Sequence, residues 1–249
     1  QCAQGSMGPC VTQPQEHFLV RGVLSVLDVF LWQLRDEECS AEIRGRDMVA
    51  HLDACVILAC VWAIGTIAGD EKGLKVFDAE LRGLLAEVQP RGRASRGLEV
   101  PLPAGGLCFD YAWDDERGRW CEWLDLYAKP QELRPGLPLS HIVVRTLDMA
   151  RCTQLVWMSC KAKHQLVLCG PRASAKTAYV REVLNSLEPS QYRSIKLAFC
   201  GRTRADKVQD TVDSLLEKRE RDTYGPLAGQ TCVILVDDLN LPLVDRGGP

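Results

Sequence analysis

The sequence predicts an α/β fold: a parallel sheet with flanking helices in its C-terminal part, preceded by a mostly helical region that carries a β-hairpin. Three observations predict it. Beyond residue 140, short apolar runs alternate with helical stretches, the order that a parallel sheet with crossover helices requires. Before residue 130, apolar residues recur mostly at helical spacing. Between the two patterns of the C-terminal part stands "LVLCGPRASAKT" (residues 166–177): an apolar run, a glycine, and then a lysine–threonine pair that opens a helical stretch. That is the outline of a strand turning through a tight loop into a helix.

Composition bounds what such a chain can do. Its 249 residues are 46% hydrophobic and 25% charged, enough to bury a core and too apolar for general disorder. The net charge is −3 and the basic residues are spread along the chain, so there is no stripe of the kind that nucleic acid or a microtubule wall requires. The most apolar window, residues 54–68, is bracketed by Asp53 and Asp70 and falls short of the roughly 20 residues of a bilayer span, so it is expected to be a buried helix and no membrane is expected as a partner. No signal-peptide pattern follows Gln1. Twelve cysteines include no C-x-x-C, and pairs such as Cys55/Cys60 and Cys152/Cys160 lack zinc spacing. They are expected to be buried, reduced thiols of an intracellular protein, with Cys169 inside a strand and Cys232 at the head of another.

Taken in order, residues 1–15 are a Gly/Pro/Gln/Cys-rich lead, expected to be poorly ordered. Residues 16–130 form the helical region. Phe18, Val23, Val26, Leu27, Phe30, Leu31 and Leu34 share a helical face. "DEKG" (residues 70–73) reads as a turn, and residues 74–88 as an amphipathic helix with Leu74, Phe77, Leu81, Leu84 and Leu85 on one side. A polar loop (89–97) precedes aromatic and polar residues that alternate over residues 107–123 about a tip at residues 116–118, a β-hairpin pattern. Trp113, Trp120 and Trp123 there could stack a base or a proline-rich peptide, but cross-strand pairs covering a core explain them better. Three prolines and a glycine within residues 129–140 mark the main boundary, with residues 131–140 as the linker. In residues 141–249 follow a helix (146–160), a buried strand (165–169), the loop, a helix (176–187), a strand (194–200), a helix (204–218) and a strand (231–236).

The loop is a candidate polyphosphate cradle made of Gly170, Pro171, Arg172, Ala173, Ser174, Ala175, Lys176 and Thr177. Inward-pointing backbone N–H groups and the positive end of the following helix favour phosphate. Lys176 can reach the β and γ phosphates, and the Thr177 hydroxyl can ligate Mg²⁺. "CVILVDD" (residues 232–238) is an apolar strand ending in two acids, the form of a Walker B motif: Asp237 would hold Mg²⁺ through water and Asp238 would polarise the attacking water. Two departures stand out. Ala175 occupies the position where G-x-x-x-x-G-K-[ST] has glycine, and Asp238 is a methylene shorter than the glutamate usual in hydrolysing ATPases. The site is therefore expected to bind ATP or ADP better than it hydrolyses it.

These residues resemble a dynein heavy chain of the axonemal type, at the join of its second and third AAA+ modules. The likeness runs nearly from Phe18 to Asp245: "ACVWAIGT" and "LKVFDAELRGLL" in the helical region, "GLCFDYAWDDERGRWCEW" in the hairpin, "HIVVRTLDMAR" (141–151) beside the adenine, "FCGRTRADKVQDTVDSLLEKRERDTYGP" after the loop, and "VILVDDLNLP" with Asn240 and Pro242 in place. The resemblance implies an AAA+ P-loop fold, adenine contacts from Ile142 and Val143, and a mainly regulatory nucleotide site in a minus-end-directed ciliary microtubule motor. It implies as partners the neighbouring AAA+ modules of the same heavy chain, dynein intermediate and light chains, and the microtubule through other parts of the parent. It implies the cytoplasm, cytoskeleton and ciliary axoneme as locations. The resemblance implies a sensor residue on a later strand, an arginine finger from a neighbouring module and a C-terminal helical lid, none of which is within the 249 residues, so hydrolysis by this segment alone is not expected. A structural ring module with a decayed loop is the alternative. A P-loop kinase would need an acceptor pocket that nothing in the sequence shows.

Overall fold

The computed structural model describes residues 16–35, 48–87, 100–127, 146–171, 173–218, 223–227 and 229–242. The expected lead (1–15), polar loop (89–97) and linker (131–140), with Ile142, Val143 and Arg172, lie outside the described residues. The chain divides into two compact units, residues 1–166 and 167–249.

In the first unit, α1 (Glu16–Phe30) and a 3-10 turn (Trp32–Arg35) lead to α2 (Met48–Ala63). α2 packs two of its faces into the core, while Val49, Leu52 and Val56 are exposed. One face, Ala50, Ala54, Cys55 and Leu58, packs on Phe30, Val26 and Leu27 of α1. Another, Ile57 and Val61, packs on Phe77, Leu81 and Phe109. The stretch Met48–Ile67 is longer than the apolar window of the sequence and, by length and composition only, long and apolar enough to cross a membrane; half of it is buried within this unit, and Val49, Leu52 and Val56 are not, so the expected burial holds for part of the helix.

Residues 70–73 are not a free turn. α3 spans Glu71–Glu87 and begins there because Asp70 caps it, its carboxylate accepting from Gly73 N–H at 2.8 Å. Gly73 sits so close to the Ala68 carbonyl that an added Cβ would lie 3.0 Å from that oxygen. On α3, the buried Asp78 accepts from the Cys108 N–H (2.7 Å) and from Arg82 (2.9 Å), and Arg82 donates on to the Pro103 carbonyl (2.6 Å). The segment entering the hairpin is thereby pinned to α3.

The hairpin is β1 (Tyr111–Asp114) and β2 (Arg119–Glu122), with Trp113 opposite Trp120. Asp114 is buried and accepts from the Glu116 and Arg117 N–H groups, closing the turn that ends at Gly118 with φ 60°. Trp113 and Trp120 meet edge to face at 5.4 Å, and Trp123, at the start of α4 (Trp123–Tyr127), is only 1% exposed. The tryptophans cover a core; none offers a stacking platform.

α5 (Leu147–Ala162) starts at Thr146, whose hydroxyl accepts from Met149 N–H at 3.2 Å, and ends at a left-handed Lys163. Ala150 packs with Ala112 and Trp123, so the packing of the first unit runs on through α5.

The second unit contains α6 (Lys176–Ser186), β3 (Tyr192–Ala198), α7 (Ala205–Leu215), the short pair β4 (Glu217–Lys218) and β5 (Tyr224–Gly225), and β6 (Thr231–Asp237). β3 and β6 run parallel, in register from Tyr192 opposite Thr231 to Ala198 opposite Asp237. This is the parallel α/β arrangement that the alternating pattern predicts. One expected strand does not form. Residues 165–169 have no ladder partner among the described residues, and Leu166 and Val167 are 46% and 73% exposed. An apolar run becomes a strand only where another strand satisfies its backbone. Cys169 is therefore exposed rather than buried in a strand.

Candidate nucleotide-binding site

The loop and the acidic strand meet in space. Thr177 lies in the first turn of α6 and Asp237 closes β6, and the Thr177 hydroxyl donates to Asp237 Oδ1 at 3.1 Å across 60 residues of chain. The parallel crossover accounts for this: α6 leads back to β3, and β6 pairs beside β3 so that its C-terminal end returns to the helix start. A hydroxyl and a carboxylate oxygen at this separation are hard oxygen donors, which is what Mg²⁺ takes. Thr177 and Asp237 therefore fit the ion.

Lys176 folds back over the loop. Its ammonium donates to the Gly170 carbonyl (2.9 Å), the Pro171 carbonyl (2.6 Å) and the Ser174 hydroxyl (3.0 Å). It thus stands over the turn that a polyphosphate would occupy. Ser174 donates in turn to the Pro171 carbonyl at 2.9 Å.

The backbone shows where the missing glycine matters. Ala175 has φ 60° and ψ 13° at the N-cap of α6, with no side-chain cap, and Ala173 has φ 61°. Both are in the left-handed region, which costs a residue with a Cβ about 1 kcal/mol or more relative to glycine. Gly170 is not among the residues with positive φ; the left-handed conformations of the loop fall at the two alanines. Asp238 also has φ 56°. Aspartate is among the few residues other than glycine that tolerate this conformation, a local reason for a short acid at the end of the strand.

Of the expected site residues, the structure gathers Gly170, Pro171, Ala173, Ser174, Ala175, Lys176, Thr177 and Asp237 into one loop and strand end, and Asp238 follows directly. Arg172, Ile142 and Val143 lie outside the described residues.

Two features escaped the sequence reading. Cys200, just past β3, is fully exposed, and its thiol is lowered from its ordinary value by the Thr203 hydroxyl first and by the Arg202 N–H second. Its position in a Cys-x-x-Thr turn was the available signal. The other is a Cys55–His51–Asp115 array: His51 Nε2 lies 3.6 Å from the thiol and Nδ1 lies 2.7 Å from Asp115. It has the order of a nucleophile, a base and an orienting acid, but Cys55 is 3% exposed and burial pushes its thiol up to about 12. The array is a structural tie between α2 and the hairpin turn. Among the described residues, no group of three or more His, Cys, Asp or Glu could hold a metal ion by themselves.

Comparison with known proteins agrees with this geometry. A model of the dynein heavy chain AAA lid domain matches residues 9–125, and one of the P-loop containing dynein motor region matches residues 131–248. Dynein axonemal heavy chain 12 of Homo sapiens is 30% identical over 203 residues, covering 80% of this chain and 6% of the relative. The Mus musculus counterpart is 32% identical over 203 residues, with 80% and 6% covered. Dynein axonemal heavy chain 1 of Mus musculus is 28% identical over 251 residues, covering 92% of this chain and 6% of its own. The chain thus spans about 6% of the length of these relatives. With an α/β loop-and-acid site of AAA+ type and two adjoining matches that are both of one protein, the chain belongs to the dynein heavy chain family, carrying an AAA lid domain followed by a P-loop containing motor region.

Proposed function

We propose that this chain supplies a regulatory nucleotide-binding site of a ciliary, minus-end-directed microtubule motor, at the join of the second and third AAA+ modules of a dynein heavy chain. One observation carries the reading: Lys176, Thr177 and Asp237 converge on one end of the α6–β6 layer, with Lys176 over the loop and Thr177 bonded to Asp237. ATP or ADP would lie along residues 170–177, with Lys176 on the β and γ phosphates and Thr177 and Asp237 holding Mg²⁺, which supplies charge neutralisation between phosphates. Backbone N–H groups of the loop after Gly170 would face the phosphates, and Ile142 and Val143 would face the adenine. Asp238 would orient water only weakly, being short and held in a left-handed turn. Occupancy of the site would bias packing against the neighbouring AAA+ modules of the same heavy chain. The remaining partners, intermediate and light chains and the microtubule, would be met through other parts of the parent, in the cytoplasm, the cytoskeleton and the ciliary axoneme.

The test is equilibrium binding of a fluorescent ATP analogue. Binding should require Mg²⁺, disappear in Lys176→Ala and tighten in Ala175→Gly. A folded chain that binds no analogue under any of these conditions rejects the reading. A structural module with a decayed loop is the second reading, favoured by the two left-handed alanines.

A further inference from the structure

We infer that Ser174 is a latch on the Lys176 ammonium and so sets how readily the loop accepts phosphate. An ammonium has three N–H donors and no acceptor. Lys176 meets three acceptors, all within its own loop: the carbonyls of Gly170 and Pro171 and the hydroxyl of Ser174. The loop itself fills the hydrogen-bonding capacity of the ammonium. Ser174 is suited to this because its single proton is directed to the Pro171 carbonyl, 2.9 Å away, which leaves its lone pairs for the ammonium at 3.0 Å. Of the three contacts it is the longest and the only one made by a group that can turn away by rotating one side-chain bond. An incoming phosphate oxygen must displace at least one contact, and the serine is the one that yields. The hydroxyl therefore competes with the ligand for the same donor, and removing it favours the ligand-bound state.

The binding arm of this inference rests on the proposed nucleotide role; the latch itself does not, and it is tested separately. Two measurements use the full 249-residue chain, with thermal unfolding confirming that each variant folds. The first is the rate of Lys176 acylation by a water-soluble acetylating ester without nucleotide, followed by mass spectrometry. Ser174→Ala should raise it about two- to tenfold, the range expected for loss of one hydrogen bond, and Ser174→Thr, which keeps the hydroxyl, should restore the original rate. The second is affinity for the fluorescent ATP analogue with Mg²⁺, which Ser174→Ala should tighten by a similar factor. Unchanged acylation in Ser174→Ala overturns the latch whether or not nucleotide binds. Faster acylation with unchanged or weaker affinity overturns the competition and shows instead that the hydroxyl serves the ligand. Faster acylation in a chain that binds no analogue rejects the nucleotide role and supports the latch alone.

Discussion

Ala175 adopts φ 60° at the step where the loop becomes α6, and a glycine would take that conformation without the clash between Cβ and backbone. Ala175→Gly should therefore stabilise the second unit by about 1 kcal/mol, measured by denaturant unfolding, besides tightening nucleotide. A loss of stability would mean that the alanine is not strained. At the same scale, Cys200 and Cys55 are opposites. The lowered Cys200 thiol carries thiolate at a lower pH than an ordinary cysteine, while Cys55, buried and pushed up to about 12, stays protonated through neutral pH. Iodoacetamide should label Cys200 in the native chain at a lower pH than an unperturbed thiol requires, and leave Cys55 unlabelled until the chain unfolds. Peptide mapping over a pH series checks both.

Elements form here where their backbone groups find partners, and that decides which of them could be read from residue order. α3 begins at Glu71 and not after a turn because Asp70 caps it, a cap visible only as a carboxylate three residues ahead of a crowded Gly73. The hairpin was legible because alternating aromatic residues imply two faces and Gly118 supplies the positive φ its tip needs. Residues 165–169 were not: the same apolar composition describes a strand or an unpaired run, and only a partner strand distinguishes them. The most exacting side chain between elements is Asp78, whose removal strands both Arg82 and the Cys108 N–H. Asp78→Ala should destabilise the first unit by about 2–4 kcal/mol in urea unfolding, whereas removing the exposed Lys75–Glu71 pair should leave the urea midpoint nearly unchanged.

Across the whole chain, the candidate site residues were more legible than the packing around them. A lysine–threonine pair after a glycine loop and an aspartate ending an apolar strand are chemically specific, and the parallel pairing of β3 with β6 brings them together without further assumptions. What the residue order did not disclose was the geometry of the loop: Lys176 bonds the Gly170 and Pro171 carbonyls, Ala173 and Ala175 are left-handed, and alanine does not advertise such turns. The account stands on one claim, that this loop, with Lys176, Thr177 and Asp237, takes up a nucleotide polyphosphate with Mg²⁺. Thermal unfolding with and without Mg-ATP tests it most directly, since a ligand at a hundred times its dissociation constant stabilises the folded state by about 2.7 kcal/mol. An upward shift of the midpoint that needs both Mg²⁺ and ATP and vanishes in Lys176→Ala is the expected result. Identical midpoints with and without Mg-ATP, in the unaltered chain and in Ala175→Gly alike, would contradict it.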